Sequence, residues 1–298
     1  MPHARPLLLL VSTALAQPLL AQASAGNELW RLAAVTLPVP PALATGATAA
    51  FWNPAQRDAE HGRLGVELIQ TPEAIGAAGV IAALGIPVRR AGTLGLVYAR
   101  MGIGYLVRTI DTPDPGGAAI PYYAQSAALT WARGFGRSAI GASLAYRETR
   151  LDGATITRWS LDAGIVHGLG DRVSVAAATR GLRRIGSDAA QDVYAGIDCR
   201  LWRGLLWHDV PGTVRARYGL TAGHPGGADH QFGAGLDIGT PVALDVVLAR
   251  EATYGHTGWR GAVGVRVLIG RYRLSLARDG GVSDLGSTFR VGLEARLR

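Results

Sequence analysis

The sequence predicts an all-β protein: a transmembrane antiparallel β-barrel of about fourteen strands with an N-terminal hatch segment. Three observations carry that reading. Apolar and polar residues alternate with a period of two, segment after segment, from Arg63 to the end of the chain. Most of these segments run ~9–12 residues, the length a tilted strand needs to cross a bilayer, whereas soluble strands average about five or six. The connections between them alternate between tight turns and longer polar loops, as barrel turns and loops do.

Composition agrees with that class. Of 298 residues, 48% are hydrophobic and only 17% charged, and the mean hydropathy is +0.17. Yet after residue 25 no apolar run reaches the roughly eighteen residues that a membrane helix needs. Glycine contributes 41 residues, about twice its usual ~7% share. The net charge of +8 is carried by arginine alone, since the chain contains no lysine. The arginines are scattered; Arg89-Arg90 and Arg183-Arg184 are the only adjacent pairs. Without a basic stripe, nucleic acid is excluded as a partner.

The chain divides into three parts. Residues 1–25 read as a secretory signal peptide: Arg5, the apolar runs Leu7–Val11 and Ala14–Leu20, then the small-x-small sites Ala21-Gln22-Ala23 and Ala23-Ser24-Ala25. No cysteine follows the cleavage region, so a lipid anchor there is not expected, and the single Cys199 cannot close an intramolecular disulfide. Residues 26–62 form the hatch segment. Asn27-Glu28-Leu29-Trp30 suggests a short local element, Pro38, Pro40 and Pro41 break regular structure, and Phe51-Trp52-Asn53-Pro54-Ala55 follows. Asn53 there predicts an N-cap and Pro54 the first turn of a short helix.

Residues 63–298 form the barrel. Alternation is clearest in Phe289–Arg298, where Phe289, Val291, Leu293, Ala295 and Leu297 oppose Arg290, Gly292, Glu294, Arg296 and Arg298. The same split recurs around Trp159–Ile165, Val193–Leu201 and Phe232–Ile238, and it places Cys199 on an apolar face. Strands are expected near 63–70, 78–87, 92–110, 122–134, 138–150, 155–168, 172–181, 191–202, 212–222, 230–239, 242–252, 259–269, 271–279 and 287–298. Tight turns fall at Arg89–Ala91, Phe135–Arg137, Leu169–Asp171, Thr240-Pro241 and Gly270. Two connections break the pattern: Arg203–Pro211 is long where a short turn is due, and Leu151–Ala154 is short where a loop is due. A soluble sandwich also alternates, but its polar faces would meet bulk water; here they carry Gly, Ser, Asp and Arg, which suit a narrow lumen.

The stretch Thr48-Ala49-Ala50-Phe51-Trp52-Asn53-Pro54-Ala55, after a signal peptide and before the first strand, resembles the PorV/PorQ family. That family is similar to the larger FadL-type group of long-chain fatty acid transporters. The resemblance implies a fourteen-stranded barrel whose N-terminal hatch carries the Asn-Pro-Ala motif. It departs at Gln56-Arg57, where Gly-Leu is usual, and at Arg298, where an aromatic residue is usual.

Phe51, Trp52, Asn53 and Pro54 are accordingly the candidate hatch and gating residues. The candidate lumen charge network is Arg158, Asp162, Asp198, Arg200, Arg215, Arg217, Asp237, Arg266, Arg290 and Glu294, with Glu67, Asp192, Asp245, Arg260, Arg273 and Arg296 on the same polar faces. Mixed signs in a confined space predict ion pairs; an anion-selective pore is the other use of such arginines. His224, His230 and Asp229 fall short of a metal site. Ser160 and Asp162 have no histidine at a matching position, so no enzyme and no cofactor are expected. Trp131, Trp159, Trp202, Trp207, Trp259 and Tyr272 lie near segment ends, where membrane girdles put aromatics. The resemblance implies passive movement of small hydrophobic compounds across the outer membrane of a Gram-negative-type bacterium, with membrane lipid around the barrel. Through PorV it also implies the alternative of a scaffold that binds exported proteins in type IX-like secretion.

Overall fold

Fourteen strands close on themselves, each hydrogen-bonded to its neighbours in sequence and β1 to β14, all antiparallel. The computed structural model describes residues 27–55, 62–73, 75–107, 119–185, 192–207, 209–224, 227–253, 256–280 and 286–297. Residues 1–25, expected to be a signal peptide, Gln56-Arg57 and Arg298 lie outside the described residues. The strands are β1 (Arg63–Gln70), β2 (Ala77–Val88), β3 (Gly92–Ile103), β4 (Tyr122–Phe135), β5 (Ser138–Leu151), β6 (Ala154–Leu169), β7 (Val173–Ile185), β8 (Asp192–Leu205), β9 (Pro211–His224), β10 (Gly227–Ile238), β11 (Val242–Thr253), β12 (His256–Ile269), β13 (Tyr272–Asp279) and β14 (Phe289–Arg296).

Alternation sets which way each side chain faces. In β1, Leu64, Val66 and Leu68 are exposed on the outside, while Ile69 is buried inside. In β14, Val291 and Leu293 are outside, and Arg290 and Glu294 are buried. The outer surface is a band of Leu, Val and Ile with aromatic rings toward both ends. Trp159, packed edge-on to Tyr146, and Trp259, near Phe232, lie toward the loop end. Toward the end that carries the short turns are Trp202, Trp207 and Tyr272, with Trp131, whose Nε1 donates to the Ala91 carbonyl at 2.7 Å. That is the outside of a barrel built for lipid. Leu293 sits in the middle of this band, paired with Val66 and Leu274. Replacing it by arginine is expected to cost about 2–4 kcal/mol if it faces the bilayer midplane. A denaturant titration of the refolded barrel in lipid checks this; a cost near zero would put the band in water.

Several expected loops are strand instead. Leu182–Ile185 continues β7 across a bulge opposite Leu161/Ala163, and His224 and Gly227 pair directly. Thr253 pairs with His256. The β5–β6 connection is as short as the sequence reads it, turning over Asp152-Gly153 with Asp152 at φ +54°. The stretches that are strand read as loops because they are longer than the tight turns and largely polar. Beyond the lipid, a two-stranded extension has water on both sides and needs no alternation. In the other direction, β3 ends at Ile103, short of the expected limit at residue 110.

The N-terminal segment lies within the barrel. Helix α1 (Asn27–Val35) packs against β3 and β4. A 3₁₀ turn, Pro41–Leu43, lies on β7–β9, and a second, Thr48–Phe51, on β1–β3. No helix begins at Pro54. The short helical turn precedes Asn53, whose Oδ1 accepts from the Ala55 N–H at 2.9 Å in an Asx turn. The misreading has a local cause: an Asn-Pro step serves a turn as readily as a helix start.

Candidate functional site: the plugged lumen

At the centre of the lumen stand Phe51 and Trp52, with ring centroids 4.8 Å apart and planes at 85°. Trp30 of α1 stacks obliquely on Phe51 at 4.9 Å, and Tyr194 of β8 meets Trp52 edge-on at 6.2 Å. Trp52 is only 1% exposed. Arg180 of β7 lays its guanidinium over Phe51 at 4.3 Å and reaches Trp30 and Trp52 at 5.9 and 5.8 Å. Such cation–π contacts gain strength away from water. Asn53 locks the corner after this pair: its Nδ2 donates to the Ala42 carbonyl at 2.9 Å, and its own N–H to Ala49 at 2.9 Å.

Glycines of the wall receive the plug. A Cβ at Gly141 would overlap the Pro54 carbonyl, and one at Gly164 the Asn53 carboxamide. Side chains at Gly196, Gly219 and Gly264 would strike Leu43, Pro40 and Pro38 respectively. These glycines lie on inward faces of β5, β6, β8, β9 and β12. The absent side chain there makes room for another segment's backbone or ring.

The inner wall has two unlike sides. On β2, β3 and β4 every inward residue is uncharged, among them Ala77, Ile81, Ala83, Val97, Ala99, Met101, Ala124, Ser126 and Thr130. The charges lie on β1 and β5–β14. Asp237, Arg215, Asp198, Arg217, Asp245 and Arg266 form one chain of ion pairs: Arg215 is 3.2 Å from both Asp237 and Asp198, Arg217 is 2.8 Å from Asp198 and also pairs with Asp245, and Arg266 is 2.8 Å from Asp245. Glu294 holds Arg63 at 3.1 Å and Arg273 at 3.5 Å, and Glu67 holds Arg290 at 3.2 Å. Arg147 grips Asp162 at 2.6 Å, with Arg158 buried opposite Arg147 in register. Arg260 bridges Asp279 and Glu251.

Polar ties join the plug to the charged side. Arg31 pairs with Asp229 at 3.3 Å, Thr45 accepts from Arg266 at 3.2 Å, the Ala47 N–H donates to Glu294 at 2.7 Å, and the Thr48 hydroxyl donates to Glu67. Against β2–β4 the plug makes apolar contact. Beside that neutral wall a cavity of about 50 Å³ runs between Ala47, Ala50 and Pro54 of the plug and Ala83, Thr93, Gly95, Val97 and Thr130.

Of the sequence-predicted charge network, Asp162, Asp198, Arg215, Arg217, Asp237, Arg266, Arg290 and Glu294 each lie in an ion pair, and Arg158 is buried opposite Arg147. Arg200 is the exception: it lies beside the β-bulge between Arg200 and Trp202, directly opposite Arg215, and forms no ion pair among the described residues. A bulge interrupts the pairing that would carry its side chain to a carboxylate. Sequence reasoning missed Arg180, Arg147, Arg63 and Arg31. The first two sit on inward positions of β7 and β5, so alternation alone would have found them. Asp229, which the sequence sets beside His224 and His230, uses its carboxylate to hold Arg31 and the Ala252 N–H.

Asp245 is 2% exposed and shared by Arg217 and Arg266. Asp245→Ala would leave two inward guanidiniums without their main acceptor. It is expected to destabilise the barrel by about 3–5 kcal/mol, the cost of breaking a buried pair. A denaturant titration against wild type measures it, and Asp245→Asn should lose less.

No protein-family model matches the sequence, and no curated protein matches it. Solved structures do. The toluene transporter TodX of P. putida superposes with a TM-score of 0.56 at 9% identity, covering 84% of this chain and 94% of that one. The fold is that of an outer-membrane β-barrel. The Ralstonia pickettii toluene transporter TbuX gives 0.52 at 11% identity, covering 86% and 96% of the two chains. The monoaromatic hydrocarbon channel CymD gives 0.52 at 10%, covering 87% and 96%. The barrel spans 60% of CdiB from Acinetobacter baumannii, at a TM-score of 0.46. At these identities the likeness is one of fold.

Proposed function

We propose that the barrel sits in the outer membrane of a Gram-negative-type bacterium, exported by its signal peptide, and passively admits small hydrophobic compounds. The reading rests on one observation: the uncharged inner wall of β2–β4, against which the plug sets Ala47, Ala50 and Pro54. A water-filled pore is lined by polar groups; a wall of Ala, Val, Ile and Met instead gives an apolar molecule a surface to follow. The cavity beside Thr93, Gly95 and Val97 continues that surface toward the turn end. Phe51 and Trp52 are the gate, and no residue acts as a catalyst. Hydrocarbon passage by proteins of the same fold supports the reading. Its test is uptake of a radiolabelled monoaromatic hydrocarbon by cells that express the barrel, beside the Ala99→Asp variant. Faster uptake than in empty-vector cells, lost in the variant, is expected; uptake equal to the empty vector would overturn the proposal.

A second reading is favoured by the four polar ties and the glycine seats, which hold the plug firmly. A fixed plug suits a PorV-like scaffold that binds exported proteins on its rim. Gentle extraction and affinity purification from a native host distinguishes them: recovery of exported proteins without hydrocarbon uptake would establish the scaffold.

A further inference from the structure

The end of the barrel that carries the short turns is ringed with arginine. Arg89 and Arg90 sit in the β2–β3 turn, Arg133 and Arg137 at the β4–β5 hairpin, and Arg172 just before β7. Arg203 and Arg271 stand at the β8–β9 and β12–β13 hairpins, and all seven are exposed. Among the described residues, the acidic groups on these turns are Asp171 and Asp209, and Asp171 is already held by Arg137 at 3.1 Å. The link 56–62, outside the described residues, sets Arg57 against Asp58 and Glu60, which leaves the excess in place. We propose that this ring gathers anionic phospholipid, with a phosphodiester headgroup of net negative charge, in the leaflet at the turn end. The inference rests on the membrane reading above and adds the class of lipid.

Height along the barrel selects this occupant. Apolar side chains stay exposed right up to the turns, as Ile86, Phe135, Leu169, Leu205 and Ile269 show. The arginines therefore stand at the border of the apolar band, at the level of lipid headgroups. Two of them lie on rings of the girdle. Arg133 is 5.1 Å over Phe135, and Arg271 is 5.0 Å over Tyr272, whose hydroxyl accepts from Arg271 Nη2 at 2.8 Å. A guanidinium so placed keeps its stem against hydrocarbon and its charge toward the headgroups. Its planar fork of donors matches a phosphate. The loop end differs. There Arg150 donates to the Asp152 carbonyl and Arg278 to the Ser287 hydroxyl, acceptors within the chain itself. At the turn end Arg89, Arg90, Arg133, Arg172 and Arg203 pair with no carboxylate among the described residues. Headgroup phosphates supply the missing charge where these side chains already lie.

The test is quenching of tryptophan fluorescence by acyl-brominated lipid in phosphatidylcholine vesicles that carry the refolded barrel. A Trp159→Phe/Trp259→Phe background leaves Trp131, Trp202 and Trp207, at the turn end, as the reporters outside the lumen. At low ionic strength, brominated phosphatidylglycerol is expected to associate roughly three- to fivefold more strongly than brominated phosphatidylcholine. High salt should erase that preference, because it screens exposed charges. Arg133→Gln/Arg203→Gln/Arg271→Gln should bring the ratio close to one while the folded, heat-modifiable band persists. If the triple variant does not refold, the salt series on the unsubstituted arginines decides. A ratio near one before any arginine is changed would overturn the proposal and leave the ring to an acidic protein partner. A preference that survives in full in the triple variant, or in high salt, would overturn it too. Absence of quenching by either lipid would overturn the membrane reading, and the proposal with it.

Discussion

The double variant Phe51→Ala/Trp52→Ala is expected to raise both hydrocarbon uptake and single-channel conductance several-fold while the barrel still migrates as a folded, heat-modifiable band. The two rings fill the lumen between the neutral wall and the guanidiniums of Arg180 and Arg290. Each aromatic truncation of a buried site costs about 3–5 kcal/mol, and the loss falls on the plug, because the wall is closed by its own ladder from β1 to β14. Arg180 would keep only Trp30 of the three rings it reaches. With Trp30 left as the one aromatic ring that the plug gives to the cluster, the side facing β2–β4 loses its two largest plug groups and should open first. Planar bilayer recording and uptake read the outcome together. Unchanged values in both would mean that the aromatic pair is packing alone, and would favour the scaffold reading.

How far the residues by themselves led can be judged from particular places. The register of β14 against β1 follows from alternation in Phe289–Arg296, because a slip by one residue would put Arg290 and Glu294 into lipid. Even the neutral wall leaves a trace: no inward charge was assigned between Glu67 and Arg158, and the structure places β2–β4 in that gap. The tie from Thr45 to Arg266 spans 221 residues. It depends on barrel closure and on the path of the plug, and no local pattern encodes either. Arg200 lies opposite Arg215 as alternation expects, but the bulge beside it, which leaves no mark in a two-residue period, leaves it without an ion pair among the described residues. Glycine frequency was plain, yet it could not say which glycine receives Pro54 and which merely turns a hairpin.

That distinction supplies the sharpest test of whether the plug is seated or merely enclosed. In the Gly141→Val/Gly164→Val double variant, the new side chains would occupy the positions of the Pro54 carbonyl and the Asn53 carboxamide. Valine suits a strand, so β5 and β6 should still pair, while overpacking costs about 1–3 kcal/mol at each site. The plug corner is the part able to yield: Asn53 would lose its bond to Ala42 and its turn onto Ala55. The expected result is a folded barrel whose plug is cut by a protease added to the turn end, with conductance above wild type. Gly261→Val is the control, since a Cβ at Gly261 meets nothing within 4 Å, and it should behave as wild type. If seat and control variants are equally resistant to the protease, the inward glycines do not hold the plug, and the four polar ties on the charged wall must hold it alone. Arg31→Ala and Thr45→Val combined would then be the change that releases it.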